Sequence, residues 1–523
     1  MKIQQAPDRK VIENKLFKQK ANALKPKLNK KLHRPVSIVE TFRDEYTMHG
    51  WASKFVESAK HLKMKNYGKS DSFILDFGTH HVGYFSMNIN PVGSPPDAPL
   101  HLRLTFGEMP IEVSVPFTEY NGWISSSWLQ EETIHVDVLP GIVTLPRRYS
   151  FRYVKVEILD TSVKYRVSFE DVYCNTVTSA DPDYVVALNH GDTEIEKIDG
   201  TAVKTLENCM HDVFEDGPKR DRRLWLGDLR LQALVNYETF QNNNLVKRCL
   251  YLFAAVPDDR GRIAANLFVQ PALIPDDTYL FDYSLFFTTT LHDYFIESND
   301  WETLNDLWPI AYQQVEIALE RLDTFNVVKD DNSWWSFIDW NDDLNKQTSS
   351  QAILIYALKK VLNIAKILHE QEKSMYLQRR IEDVTQAALN HLWDETSGFF
   401  VSGSNRQLSW ASQIWMVIAG VFGQEENRRL MRRLLKEKLP ITLNTPYMYH
   451  HLVEALLLSG EKKKAMLMIK QYWGGMIRHG ADTFWELYNP NDNEYSPYGS
   501  HLINSYCHAW SCTPAYFIRK YNL

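Results

Sequence analysis

Residues 216 to 228 read Asp-Gly-Pro-Lys-Arg-Asp-Arg-Arg-Leu-Trp-Leu-Gly-Asp, which puts three carboxylates, three arginines and Trp225 into thirteen positions. Carboxyl groups accept hydrogen bonds from hydroxyls and exchange protons, and an indole offers a flat apolar face. Together they suit a sugar, whose edges are polar and whose C–H faces are not. A second cluster lies near the C-terminus, where Trp485 and Glu486 stand between Asp482 and Tyr488. Two acids on separate segments, converging on one ring, are what cleavage of a glycosidic bond needs.

Two further segments mix acids with rings. Residues 333–343 set Trp334, Trp335 and Trp340 around Asp339, and residues 276–283 set Asp276, Asp277 and Asp282 beside Tyr283. In a core Asp339 would be a buried acid without a partner, which favours a cleft. Each cluster also has a plainer reading. Asp216 caps a helix with Pro218 in its first turn, Trp485 and Tyr488 are core aromatics around a satisfied Glu486, and His508 is a hydrogen-bonded core histidine. Residue types alone leave both readings open. Other chemistries lose ground: the chain has no glycine-rich phosphate loop and no Gly-x-Ser-x-Gly elbow. Neighbours such as His80-His81 and His450-His451 point apart in a strand or a helix. The five cysteines (Cys174, Cys209, Cys249, Cys507, Cys512) lack CxxC spacing. Neither a catalytic metal nor a cofactor is expected, and a disulfide framework is not indicated.

The elements that must position these residues divide the 523-residue chain. From about 35 to 178 apolar residues alternate with polar ones. Leu100, Leu102, Leu104 and Phe106 interleave with His101, Arg103 and Thr105, as do Val154, Val156 and Ile158 with Lys155 and Glu157. Period two broken by Gly, Pro and Asp predicts an antiparallel β-sandwich. From 179 to 523 the period becomes helical: Leu354, Leu358, Val361, Leu362, Ala365 and Leu368 form one stripe. Similar stretches at 229–237, 301–322, 375–393, 411–422 and 448–458 predict paired helices. These must bury their inner faces, as an (α/α)6 barrel does; pattern alone does not separate that barrel from an open solenoid. The Lys-rich residues 1–34 predict a basic arm, solvated or loosely docked. A net charge of −7 gives no field to attract nucleic acid. No membrane span and no secretory segment is expected, so the expected location is the cytoplasm. The assembly is not legible, and a homodimer remains open.

The motifs resemble those of the bacterial α-L-rhamnosidases of glycoside hydrolase family 78. Residues 216–228 are similar to the family's Asp-Cys-Pro-x-Arg…Trp-Thr-Gly-Asp element, residues 480–486 to its Gly-Ala-Thr-Thr-x-Trp-Glu element, and residues 507–510 to its Cys-His-Ala-Trp element. Residues 74–78 and 104–108 resemble the family's β domain. The resemblance implies a β-sandwich followed by an (α/α)6 barrel, and an inverting hydrolase with no cofactor that removes terminal α-L-rhamnose from small glycosides or oligosaccharides. It puts Asp221 at the general-acid position and Glu486 at the general-base position. Asp216, Arg220 and Asp228 stand where hydroxyls are held, and Trp225, Tyr283 and Trp335 or Trp340 where aromatic walls stand. Trp485 counts among the substrate contacts, and His508 meets the ring near the base. Three departures stand out: Gly217 replaces Cys, Leu226 replaces Thr, and Asp221 replaces the more usual Glu in a segment one residue shorter. The alternatives are a barrel hydrolase of another sugar and a rhamnoside-binding relative without activity.

Overall fold

The computed structural model describes residues 10–523. Strands Ser37–Arg43, Trp51–Ser58, Ser72–Gly93, Leu100–Gly107, Glu131–Val136, Gly141–Thr144, Tyr149–Asp160 and Tyr165–Thr178 pair antiparallel throughout. Ser72–Gly93 serves two neighbourhoods. Its first part pairs with Ser37–Arg43 and Tyr149–Asp160, its last with Tyr165–Thr178 and Gly141–Thr144. The register with Tyr149–Asp160 shifts between Asp76 and His81, where Gly78 takes a φ of 81° that a side chain would resist. The domain closes over Phe77, Phe85, Phe106 and Phe151, which meet edge to face. Each buried phenyl contributes roughly 1.5–3 kcal/mol.

Among the described residues, 10–34 are not a loose arm, and the expectation of one is corrected for them. Residues 1–9 lie outside the described residues. Helix Lys15–Ala23, capped by Asn14, buries Phe17 and Ala21 against helix Asn243–Ala254. Lys20 reaches Glu302 at 2.7 Å and Asp306 at 2.5 Å, and Arg248 donates to the Ala21 carbonyl. Strand Asn29–His33 pairs with Tyr165–Thr178. The lysines are spaced so that the apolar side of one short helix stays free to dock; composition hid that face.

In the helical domain Leu226–Glu238, Phe281–Ser298, Gln347–Ile367, Trp410–Ile418 and Pro446–Leu458 pack on one another in chain order. They are buried on nearly every side, so they carry no polar stripe. Outside them run Thr193–Cys209, Asn243–Ala254, Trp301–Leu319, Gln371–Ala387, Gln424–Leu434 and Lys462–Arg478. Pro514–Tyr521 packs against Thr193–Cys209 and Leu226–Glu238, and its Phe517 ring meets His450 of Pro446–Leu458, which closes the ring. That closure separates a barrel from a solenoid. Among the described residues no helix is long and apolar enough to cross a membrane.

A buried polar seam joins the two domains behind the candidate site. Lys219 donates to Glu112 (2.6 Å) and to the carbonyls of Leu502 (3.0 Å) and Asn504 (2.7 Å). Glu108 accepts from Ser150 (2.7 Å) and from the Tyr506 amide (2.6 Å), and it lies 2.9 Å from His80. The β domain therefore holds the segments before Asp221 and after Tyr498 in common.

Candidate active site

The 216–228 segment closes on itself. The Asp216 amide donates to the Arg223 carbonyl at 3.1 Å, the Arg222 amide to Gly217 at 3.2 Å, and the Arg223 amide to the Asp216 carboxylate at 3.0 Å. Arg222 turns the chain at φ 60°. A Cβ on Gly217 would lie 2.7 Å from the Arg220 carbonyl oxygen, so this closure requires glycine there. Leu224–Trp225 then pairs with Asn266–Phe268, and helix Leu226–Glu238 begins with Asp228 in its first turn. Bare Gly227 admits the Tyr283 ring, which a Cβ would meet at 2.4 Å.

These residues line one cavity of about 110 Å³, several times the room one water needs and on the scale of a single pyranose. Asp216, Arg220, Asp221, Asp228, Glu486 and His508 supply its polar groups; Trp225, Tyr283, Trp335, Trp340, Tyr498 and Trp510 supply its rings. Trp225 stands edge-on to Tyr283, and Trp340 edge-on to Tyr498.

Glu486 is held from three sides. Arg220 Nη2 donates to its Oε2 at 2.6 Å, the Tyr498 hydroxyl to its Oε1 at 2.5 Å, and the Ser505 amide to Oε2 at 3.4 Å. Arg220 is itself fixed by the Ile503 carbonyl (2.8 Å) and lies over the Tyr498 ring. Its Nη1 is 3.7 Å from Asp221 Oδ1, a looser contact, and the Asp221 side chain keeps 25% of its exposure. One guanidinium thus touches both carboxylates, which keeps the gap between them below roughly 9 Å, an upper bound that both two-carboxylate hydrolase geometries satisfy. Arg222 instead donates to Pro218 and Arg148 carbonyls, and Arg223 reaches Asp276 at 3.5 Å.

Burial, reinforced by Asp221 and Asp228, pushes Asp216 well above the ordinary carboxylate range. Burial and Glu486 do the same to Asp228. Both are driven toward the neutral acid, a form that can donate as well as accept. His508, driven down to about 3 by burial and then by Arg220, stays neutral. Its Nδ1 and Asp228 Oδ1 have no hydrogen-bond partner and stand 3.6 Å apart. Buried polar atoms without partners are costly; both residues border the cavity.

Several expectations change. Trp485 does not line the cavity: it is buried between the rings of Tyr488 and Tyr506. Asp339 is a satisfied core acid, which accepts from Thr445 (2.7 Å) and the Asn444 amide (2.9 Å). Asp282 accepts from the Phe337 and Ile338 amides (3.0 and 3.1 Å) and so fixes the turn that presents Trp335 and Trp340. Tyr498, Phe337 and Trp510 line the cavity without having been singled out as contacts. Trp510 lay inside a motif already noted. Tyr498 sits among Asn, Asp, Pro and Gly in residues 489–500, where no periodicity marks a functional ring.

Residues 35–176 match the glycosyl hydrolase family 78 alpha-rhamnosidase N-terminal domain, and residues 186–521 the bacterial alpha-L-rhamnosidase six-hairpin glycosidase domain. The fold superposes on a rhamnosidase from Klebsiella oxytoca with rhamnose bound at a TM-score of 0.97, with 49% identity over 98% of this chain and 100% of that one. A family 78 rhamnosidase of a Bacillus species matches at TM-score 0.74 and 20% identity, over 91% of this chain and 50% of that one. A Streptomyces avermitilis alpha-L-rhamnosidase complexed with L-rhamnose matches at 0.61 and 15%, over 91% and 46%. These last two likenesses concern the fold. Among curated proteins no sequence matches.

Proposed function

The chain belongs to glycoside hydrolase family 78 and is an α-L-rhamnosidase; from that premise we propose that it inverts the anomeric centre of terminal α-L-rhamnose, with Asp221 as general acid and Glu486 as general base. The carrying observation is the pair itself, set around one pyranose-sized cavity and linked through a single arginine. The leaving oxygen needs a proton while positive charge grows on the ring carbon. Asp221 delivers it from the more accessible side. Glu486, aimed by Arg220 and Tyr498, keeps a free lone pair on Oε1 for the attacking water. Neutral Asp216, neutral Asp228 and neutral His508 bind hydroxyls. The rings of Trp225, Tyr283 and Trp340 cover the sugar's apolar face and its 6-methyl group.

Asp221 also borders a second cavity of about 610 Å³, lined by Tyr84, Trp128, Arg148, Arg222 and Phe268 among others. A leaving group lodged there meets the acid directly, and its size suits a small aglycone or a short oligosaccharide. On this reading the tight 216–223 loop has to make up for the shorter reach of Asp.

Acid catalysis has a signature. In Asp221→Asn the loss of kcat is expected to shrink as the leaving group improves, from about 10⁴-fold on an alkyl rhamnoside toward about 10²-fold on a dinitrophenyl rhamnoside. An equal loss across the series removes Asp221 from that role. Azide should restore turnover to a Glu486→Ala enzyme by entering the vacated water site.

A further inference from the structure

Segment 494–506 carries Tyr498, Ile503 and Ser505, the three residues that hold Glu486 or its arginine. At its outer edge it meets the β domain through His49. The His49 and His501 rings stack at 4.4 Å between centroids, and Glu494 Oε2 lies 3.2 Å from His501 Nε2. One ring nitrogen of each histidine and one Glu494 oxygen all fall within 4.8 Å of one another.

The Tyr506 hydroxyl lies 2.7 Å from His49 Nε2 and 3.0 Å from the His501 carbonyl. His49 Nδ1 is buried without a hydrogen-bond partner, in a residue only 5% exposed. A buried imidazole nitrogen left unpartnered, on a ring oriented by a hydrogen bond at its other nitrogen, suits a metal ligand.

We propose that His49, His501 and Glu494 form a non-catalytic site for a divalent cation of the zinc class, which ties the segment bearing Tyr498 to the β domain. Two imidazoles and a carboxylate select a borderline transition metal over Mg²⁺ or Ca²⁺, which prefer oxygen ligands. A second grouping, His450, His451 and Glu454, lacks this character. There the Arg230 guanidinium stands 3.5 Å from both His451 Nε2 and Glu454 Oε1 and already fills the place of a cation.

Co²⁺ is the probe, since its visible bands report nitrogen ligation. The full chain, stripped with a chelator, is titrated with Co²⁺ by absorption and calorimetry, with circular dichroism as the check on folding. One equivalent is expected, with nitrogen-ligand bands that Zn²⁺ displaces and equimolar Mg²⁺ does not. Glu494→Gln and His501→Ala, both on the accessible edge of the site, are each expected to weaken binding at least tenfold. No binding by the parent chain, or binding undiminished in both variants, overturns the proposal.

Discussion

The two sides of the cavity are built differently. The side proposed to supply the acid is local: Asp216, Arg220, Asp221, Trp225 and Asp228 come from thirteen consecutive residues, and the loop's own backbone bonds shape it. The base side is assembled from afar. Glu486 depends on Arg220, on Tyr498 and on Ser505, and the last two sit on a segment tied to the β domain through Lys219 and Glu108. Asp221 is partly exposed with one loose contact, whereas Glu486 is buried and paired. A proton donor must reach a bond that arrives and departs; a base must hold one water at one place. The contrast teaches that the β domain braces both segments, through Lys219 and Arg222 on the one and Glu108 on the other, while the Asp221 side chain alone is left loose.

The contrast can be broken most forcefully at the carboxylates. Glu486→Gln is expected to lower kcat by about 10³-fold or more. It should also destabilise the fold by about 3 kcal/mol, because Arg220 loses its buried partner. Asp221→Asn should match it in activity but stay within about 0.5 kcal/mol of the parent in denaturant unfolding. Equal stability losses in the two variants would erase the difference between the sides. Tyr498→Phe is a gentler cut. It removes one donor to Glu486, and kcat is expected to fall about 10- to 100-fold, with KM for an aryl rhamnoside nearly unchanged.

The smallest effect is thermal. Asp228 has a folded pKa raised above its unfolded value, so the folded state binds the extra proton and stability falls as pH rises from about 4 toward that raised value. Asp228→Asn should remove part of this decline and raise Tm by a few degrees near neutrality, even as activity drops. A lower Tm in the variant would show that Asp228 is satisfied in the free enzyme.

What could be read from the sequence follows the same division. The acid loop is contiguous, so its residue types were visible together. The alternation of Leu100 to Phe106 and the stripe from Leu354 to Leu368 gave the β domain and the barrel helices, since local periodicity reports which face is buried. Tyr498 was invisible because its role arises from a loop whose path depends on contacts with residues hundreds of positions away. Asp339 misled because its partners, Asn444 and Thr445, lie about a hundred residues on. The N-terminal lysines misled because charge dominates composition while two buried residues, Phe17 and Ala21, dock the helix.

The central claim is that Asp221 and Glu486 act from opposite sides of one sugar with a water between the ring and the base. Proton NMR of early turnover of 4-nitrophenyl α-L-rhamnoside tests it directly. The account predicts that β-L-rhamnose appears first and the α anomer only later by mutarotation; α-L-rhamnose as the first product would contradict it.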